Sequence, residues 1–561
     1  MSSDPVVATP AKKGKGRNFW LSFTAVVVCN FLSALDLAGV STALPTITDE
    51  LNGGEKFVWV GAAYGLAAAA VIPSTGRLAD ILGRKPVLLT CVFFFFLGSA
   101  LAGSAQNMNW LIGARAVQGI GGGGIINLAL IVVSDLVPLA ERGIYQGFLI
   151  MTWALAAAIG PIIGGSLAEK ASWRWLFYLN LPLAGIAFFL VALFLRVRTP
   201  TGSLRHKLAR IDWLGNALII AGTTLVLIAV TWGGIRFPWD SAHVLGPLIA
   251  GAILLLIFLV YERTVPSEPT FPLDVLANRT SLAGYIATFF HGIVSISIIY
   301  YLPVYFQACK IDSPIRSSVH ALATTLIASP FSIVCGVLVK GSNKYRPANY
   351  IGWALTLIGV GLLTMLKADA STGQWVGFQI LAAAGFGMIW ASTVFPILAP
   401  VPVTRVAPAL ACYNFCRTFA QTWGIAISAT ILQNELKNRL PPAFVAQFPA
   451  GIEIAYAAIP LIPTLEPGLR AEVQDAFAAS MAKVWFATLG FAAAGAATVL
   501  LLSEVPMQKY TDDAYALEEK PAAGRGVGRG EAEMGMGKGG ERDSEERVAM
   551  KSADSAATED I

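Results

Sequence analysis

Hydrophobic residues along the chain gather into long runs separated by short polar stretches rich in Lys, Arg, Gly and Pro. Each run approaches the ~20 residues that cross the hydrocarbon of a bilayer as an α-helix. Fourteen runs begin near Phe19, Phe57, Val87, Trp110, Ile144, Trp175, Trp213, His243, Leu282, Ser318, Asn349, Trp375, Ala407 and Ala482. They predict an all-α polytopic membrane protein with 14 transmembrane helices. A secretory signal would carry a short apolar core followed by small residues at a cleavage site. The run from Phe19 is itself of spanning length, so it is expected to stay on the chain.

Two longer polar stretches break the rhythm. Asn434 to Met481, rich in Pro and Ala, reads as an outer loop with short amphipathic helices. From about Glu504 onward the chain is Gly-rich, charged and poor in large apolar groups, the composition of a disordered tail. The polar stretch after the second run reads Gly76-x-Leu78-Ala79-Asp80-x-x-Gly83-Arg84-Lys85-Pro86, and the one after the tenth reads Gly336-x-Leu338-Val339-Lys340 and then Lys344-x-Arg346-Pro347. The second resembles a decayed copy of the first with one insertion. Repeated halves are a signature of secondary transporters, whose site lies between the halves near the bilayer midplane. On this register the chain divides into a basic N-terminal tail (1–18), a six-helix bundle (19–196), a loop with two inserted helices (197–262), a second six-helix bundle that carries the outer loop 434–481 (263–503), and a C-terminal tail (504–561).

Charge sets the orientation. Lys and Arg concentrate in alternate polar stretches, beginning with Lys12, Lys13, Lys15 and Arg17, and the positive-inside bias then places both termini in the cytoplasm. The same residues could also touch anionic lipid. The single N-x-[ST] sequon, Asn278-Arg279-Thr280, falls on an inner loop and is expected to carry no glycan.

Composition narrows the function classes. Of 561 residues, 55% are hydrophobic and 13% charged, against about 25% charged in soluble domains. The net charge of +5 is scattered between apolar runs rather than lining one face, so no nucleic-acid partner is implied. Of the six cysteines, Cys29, Cys91, Cys335, Cys412 and Cys416 lie inside apolar runs and Cys309 at the end of one; no CxxC or metal-ligand spacing supports a disulfide framework or a metal site. Gly119-x-Gly121-x-x-Gly124 matches a dinucleotide fingerprint only formally, because no strand precedes it and an apolar span surrounds it. No Walker sequence, HExxH or Ser-His-Asp grouping occurs, so no cofactor and no enzyme activity are expected.

Gly76-Arg77-Leu78-Ala79-Asp80-Ile81-Leu82-Gly83-Arg84-Lys85 resembles the signature loop between the second and third helices of the major facilitator superfamily. The glycines permit a tight reversal, and Asp80 can accept charge-assisted hydrogen bonds from Arg, Lys or a helix N-terminus across the inner seam. The resemblance implies an inner latch that stabilises the outward-facing state, made by Gly76, Asp80, Gly83, Arg84 and Lys85. Leu35-Asp36-Leu37 with Ala43-Leu44-Pro45-Thr46-Ile47, Arg115-Ala116-Val117-Gln118-Gly119, and Ala156 followed by Gly160-Pro161-Ile162-Ile163-Gly164-Gly165 resemble motifs of that family's fourteen-helix drug:proton antiporter branch. Ala38, Gly39 and Ala156 depart from the branch's usual residues. Trp173-Arg174-Trp175-x-Phe177-x-x-Asn180-x-Pro182 and Tyr301-Leu302-Pro303-Val304-Tyr305-Phe306-Gln307 extend the likeness, which covers most of the chain from Leu35 to about Leu440 and is closest in character to fungal efflux permeases. It implies two six-helix bundles plus two inserted helices, a small organic substrate exported against protons, a monomer, and a plasma-membrane location, with the vacuole or another internal membrane as the alternative. It also implies that the antiporter motif, Gly160, Pro161, Gly164 and Gly165, limits leak. Independently, Ala156, Gly160, Gly164 and Ala168 recur every four residues as a small-residue stripe for close helix packing.

Ionisable groups inside a bilayer are expensive and are functional candidates by default. Four stand out: Asp36, Arg115, His291 and Arg417. Asp36 and Arg115 lie in the outer halves of their spans, where they could neutralise one another or enclose a proton site. His291 sits near mid-depth and titrates in the useful range, though it could equally bond a neighbouring helix. Arg417, in the inner half of its span, suits gating, bundle structure or substrate contact. Aromatics such as Trp153, Tyr300, Trp390 and Trp423 could line a cavity or face lipid. Two other functions keep the same fold or spans: a vacuolar carrier of basic amino acids or siderophores, and a membrane nutrient sensor that transports nothing.

Overall fold

A computed structural model of the chain describes residues 15–51, 58–198, 203–234, 237–266, 269–270, 273–448 and 454–507. These belong to one compact unit, Met1–Glu518. Most of the basic N-terminal tail and all of the C-terminal tail beyond 507 lie outside the described residues.

Fourteen long helices account for nearly all of it: α1 (Arg17–Glu50), α2 (Val58–Leu82), α3 (Arg84–Gly103), α4 (Met108–Leu136), α5 (Leu139–Lys170), α6 (Arg174–Phe194), α7 (Trp213–Trp232), α8 (Ala242–Thr264), α9 (Arg279–Cys309), α10 (Pro314–Ser342), α11 (Arg346–Leu363), α12 (Thr372–Ser392), α13 (Val406–Arg439) and α14 (Pro467–Val499). Twelve are long and apolar enough to cross a membrane. The other two are α11, whose start carries Arg346 and Asn349, and α13, which carries Asn414, Arg417 and Gln421. Their polar residues lower the mean hydropathy, while Asn349, Asn414 and Arg417 are buried against neighbouring helices. Polar side chains start several helices by accepting from backbone N–H groups that the first turn leaves free: Asn107 for α4, Asp212 for α7, Asn278 for α9 and Ser313 for α10.

The stretch expected as an outer loop is shorter than its polar composition suggests. Helix α13 continues through Asn434–Arg439, and α14 starts at Pro467 rather than near Ala482. Arg470, Glu472 and Asp475 therefore sit on the first turns of a helix that outruns its apolar core. Short helical turns at Pro442–Val445, Ile454–Ala458 and Ile459–Thr464 fill the connection.

The packing repeats. In the first half α1 lies on α5 and α6, α2 on α4, and α3 on α4 and α6. In the second half α9 lies on α13 and α14, α10 on α12, and α11 on α12 and α14. Adding eight to each label of the first set gives the second, so two six-helix bundles share one internal plan. They meet through α5 against α10 and α2 against α13, a pair of contacts that the same shift exchanges. Helices α7 and α8 pack on each other through Gly222 and Gly251. Only α7 of that inserted pair makes extensive contact with the bundles, at α2 and α13, and α8 exposes Ile249, Ile253, Leu256, Ile257 and Val260, a face suited to lipid.

Small residues let the helices close. A Cβ at Gly119, Gly121 or Gly124 would strike Tyr64, Phe95 or Cys91, so these glycines serve contacts of α4 with α2 and α3 and not a nucleotide. Gly160 of α5 meets Ala38 and Gly39 of α1, and Ala156 is buried beside Ala34 and Leu35. The side chains of Pro161 and Gly165 lie outside the described residues.

Candidate functional site

Asp36 on α1 and Arg115 on α4 are 1% and 0% exposed and meet directly, Arg115 Nη1 donating to Asp36 Oδ2 at 2.5 Å. Two neutral amides complete the carboxylate's shell: Gln118 Nε2 at 2.9 Å and Asn180 Nδ2 at 2.7 Å, both on Oδ1. Arg115 also donates from Nη1 to Gln118 Oε1 at 2.6 Å and from Nε to the Val60 carbonyl at 3.0 Å. Its guanidinium lies 4.6 Å from the centroid of the Tyr64 ring. Gln118 donates onward to Ser99, and Ser33 shares a 2.7 Å bond with Tyr64 Oη. Six helices of one half, α1 to α4 and α6 by side chain and α5 through its packing on α1, thereby surround a balanced charge pair. Burying two charges is tolerable here because each is paired and hydrogen-bonded.

The second half holds a different arrangement. Arg417 on α13 is 4% exposed and lies between two aromatic rings, with Cζ 4.1 Å from the Trp390 centroid and 4.4 Å from that of Tyr413. Its Nη2 donates to Tyr413 Oη and, at 3.4 Å, to the Trp390 carbonyl, while Nε is buried with no partner. No carboxylate pairs with it among the described residues. Fully buried His291 on α9 faces the same tryptophan, its ring centroid 5.8 Å from that of Trp390. His291 Nε2 lies 3.0 Å from the Phe386 carbonyl. A carbonyl can only accept, so Nε2 carries the proton and Nδ1, buried without a partner, keeps a bare lone pair. Asn414, three residues before Arg417 on the same face of α13, donates to Asn127 Oδ1 of α4 at 2.7 Å, and Asn127 donates to Thr75 of α2. The Arg417 face of α13 therefore borders the plane where the two halves meet.

At the end of the bundle that carries the Gly83 turn, the halves touch closely. A Cβ on Gly76 would meet Ala411 of α13 at 2.7 Å, and a Cβ on Gly336 would strike Gly143 of α5 at 2.5 Å. Glu141 of α5 pairs with Lys340 of α10 at 3.1 Å and with Lys15 at 3.1 Å. Gly83 has φ 103°, a backbone that an L side chain adopts only with strain, so the turn needs glycine. Asp80 accepts from Arg84 Nη1 at 2.5 Å, and Arg84 Nε reaches Asp135 of α4 at 2.9 Å. Lys85 Nζ caps the Ala192 carbonyl near the end of α6 at 2.6 Å. The contacts of Asp80, Arg84 and Lys85 named here lie within the first half, and Glu141 and Lys340 bridge the seam with opposite charge. At the opposite end Arg174 and Trp173 both donate to Glu50, and the Arg174 hydrogen bond holds the Glu50 carboxyl below its ordinary range.

Sequence reasoning singled out neither Asp135 nor the pairs Glu141–Lys340 and Asn127–Asn414. Charged residues near loop ends read as topogenic, and lone asparagines in spans carry no spacing signal. The described residues contain no group of three or more His, Cys, Asp or Glu able to hold a metal ion.

Residues 26–425 match the family model described as Major Facilitator Superfamily. The chain is 38% identical over 530 residues to the "Efflux pump FUS6" of Gibberella fujikuroi, covering 93% of this chain and 95% of the other. The chain belongs to the major facilitator superfamily. A second relative, the "MFS-type transporter gkaD" of Penicillium citrinum, is 38% identical across 92% of this chain and 90% of its own length. The "MFS-type efflux pump MMF1" of Pseudozyma antarctica is 37% identical, with 91% and 95% covered. Among solved structures, the proton:xylose symporter XylE bound to 6-bromo-6-deoxy-D-glucose superposes with a TM-score of 0.53 at 14% identity, covering 80% of this chain and 96% of XylE. The human organic anion transporter MFSD10 gives 0.53 at 14%, covering 85% and 100%. At that identity the likeness is one of fold. This major facilitator protein is accordingly a multi-pass membrane protein, and its family consists of membrane transporters.

Proposed function

We propose that this protein exports an organic small molecule, a secondary metabolite, toxin, drug or glycolipid, in exchange for protons by alternating access. The observation that carries the reading is the pair of like-folded halves touching closely at one end, with a buried ion pair inside the first half and buried Arg417 of the second on the helix face that borders the first. Efflux as the direction is favoured by the names of relatives that align along nearly their whole length. On the charge-bias orientation the seam at Gly76, Gly143 and Gly336 is the cytoplasmic gate in its closed position, Glu141–Lys340 is its ion pair, and the membrane is the plasma membrane. Asp36 is the carboxylate proposed to exchange a proton, and movement of α4 away from α1 would separate it from Arg115 and open it to that exchange. His291, with Nδ1 free to take a proton, is the second candidate. A vacuolar carrier of basic amino acids is disfavoured, because Arg417 without a carboxylate would repel a cationic cargo.

Comparison of metabolites in the medium and in cells, with and without the gene, is expected to show a compound retained when the gene is absent. Its absence from every retained pool would sink the export reading. In reconstituted vesicles, Asp36→Asn is expected to abolish substrate-induced proton flux while counterflow remains, and His291→Gln to reduce it. Wild-type stoichiometry in both variants would clear both residues of coupling.

A further inference from the structure

We propose that the exported molecule carries an anionic group, a carboxylate or an equally acidic enol, and that Arg417 receives it against the aromatic walls of Trp390 and Tyr413. This assignment rests on the export reading for its cargo and on the geometry for its chemistry. A guanidinium withdrawn from water into a low-dielectric bundle needs a counter-charge. Arg115 has one in Asp36, whereas among the described residues Arg417 has two ring faces, a phenol oxygen and a carbonyl. Its buried Nε has no acceptor, so hydrogen-bonding capacity is held in reserve beside the ring of Trp390, which is itself only half-buried. Planar guanidinium geometry suits a carboxylate or enolate.

The surroundings add selectivity. Phe386, Trp390 and Tyr413 supply apolar and aromatic area next to the charge, so an amphipathic organic anion gains more here than a hydrated inorganic one. His291 faces Trp390 from α9, and its bare Nδ1 can accept a hydrogen bond from a hydroxyl of the cargo. Once protonated, the same nitrogen donates to the anion, so proton uptake and substrate charge meet in one place. Asn414 links this face of α13 to Asn127 in the other half, which ties occupancy of the site to the contact between halves.

The test uses purified full-length protein in nanodiscs, with intrinsic tryptophan fluorescence and thermal shift as readouts. The probes are benzoate, 2-naphthoate and decanoate, each beside its neutral amide, with sodium chloride titrated separately. At least one acid is expected to bind tenfold or more tightly than its amide, with quenching that Trp390→Phe removes. Arg417→Gln is expected to erase the preference at unchanged folding, and Arg417→Lys to restore part of it. Equal affinities of acid and amide for all three pairs, no binding by any acid at millimolar concentration, or a preference that survives Arg417→Gln each overturn the assignment. So does a chloride titration that saturates the site and excludes the acids, since the site is then one for an inorganic ion. Export of a metabolite by a protein without acid preference would leave the export reading standing and this one fallen. Acid binding by a protein that exports nothing would do the reverse.

Discussion

Arg115 and Arg417 are both buried in the helical spans, one in each half, and the halves treat them in opposite ways. Arg115 has a carboxylate, the Gln118 amide and a backbone carbonyl around it, and Asn180 completes the shell of its carboxylate. Arg417 has aromatic faces, a phenol and one long carbonyl contact. The first arrangement is internally complete and fixes helices to one another; the second leaves part of its capacity unused. In a protein built from two copies of one plan, one arginine has its counter-charge within the chain, and the other is the one proposed to find it in a cargo.

The largest expected effect comes from breaking the complete pair. Arg115→Met strands Asp36 as a buried acid with only amides beside it, which costs about 3–5 kcal/mol by analogy with other broken buried pairs. Arg417→Met strands no acid, so its stability is expected to stay within about 1 kcal/mol of the parent. Thermal unfolding of both variants in detergent measures the contrast directly. Joint replacement, Asp36→Asn with Arg115→Met, is expected to recover much of the loss. Equal destabilisation at both arginines would erase the distinction between the halves.

Next in size is the response to membrane potential. If one proton enters for each monoanion that leaves, both movements carry charge in the same electrical sense, and two charges cross per cycle. Each is worth about 2.3 kcal/mol per 100 mV. The logarithm of the steady-state gradient of an exported acid is therefore expected to rise twice as steeply with potential, negative on the cytoplasmic side, as that of its neutral amide. Vesicles clamped with valinomycin and potassium provide the measurement, and identical slopes would show that no charged cargo moves.

How much of this was legible in the sequence follows from what a linear pattern can encode. Run length and spacing carried the polytopic fold and the two-bundle plan, because a bilayer admits few other solutions for such segments. The start of α14 was misplaced, since Pro467–Met481 is helical but too polar to look membranous. Depth along the spans put Asp36 and Arg115 at one level, and the structure joins them. The grouping of His291, Trp390 and Arg417 was not legible: they come from α9, α12 and α13, and which faces meet depends on helix rotations that hydropathy does not fix. Lys340 was visible only as a decayed copy of Asp80, with no hint that the change of sign gives it Glu141 across the seam.

That change of sign yields the two smaller predictions, which carry the comparison of halves to the gate. Asp80 accepts from Arg84 within its own half. Asp80→Asn removes a charge-assisted bond of about 1.5–3 kcal/mol from the α2–α3 turn beside the seam, and on the proposed latch role it weakens the closed seam. Transport should fall while abundance and membrane delivery persist, and normal flux at normal abundance would remove Asp80 from the gate.

The smallest effect belongs to Glu141 and Lys340, a partly exposed pair whose side chains are 24% and 40% accessible. Pairs of this kind contribute about 0.2–1 kcal/mol and weaken with salt. Lys340→Glu places two carboxylates at the seam and is expected to slow transport by less than about fivefold, less so in high salt. Glu141→Lys alone should act similarly, because it sets a third cation beside Lys15 and Lys340. Combining the two reversals restores an opposite pair across α5 and α10, although Lys15 then faces a lysine. Recovery is therefore expected to be partial in the full chain and more complete when Lys15→Glu is added. Rates measured at low and high ionic strength decide it: a double reversal no faster than either single change would show that these charges meet in the closed form without helping to hold it.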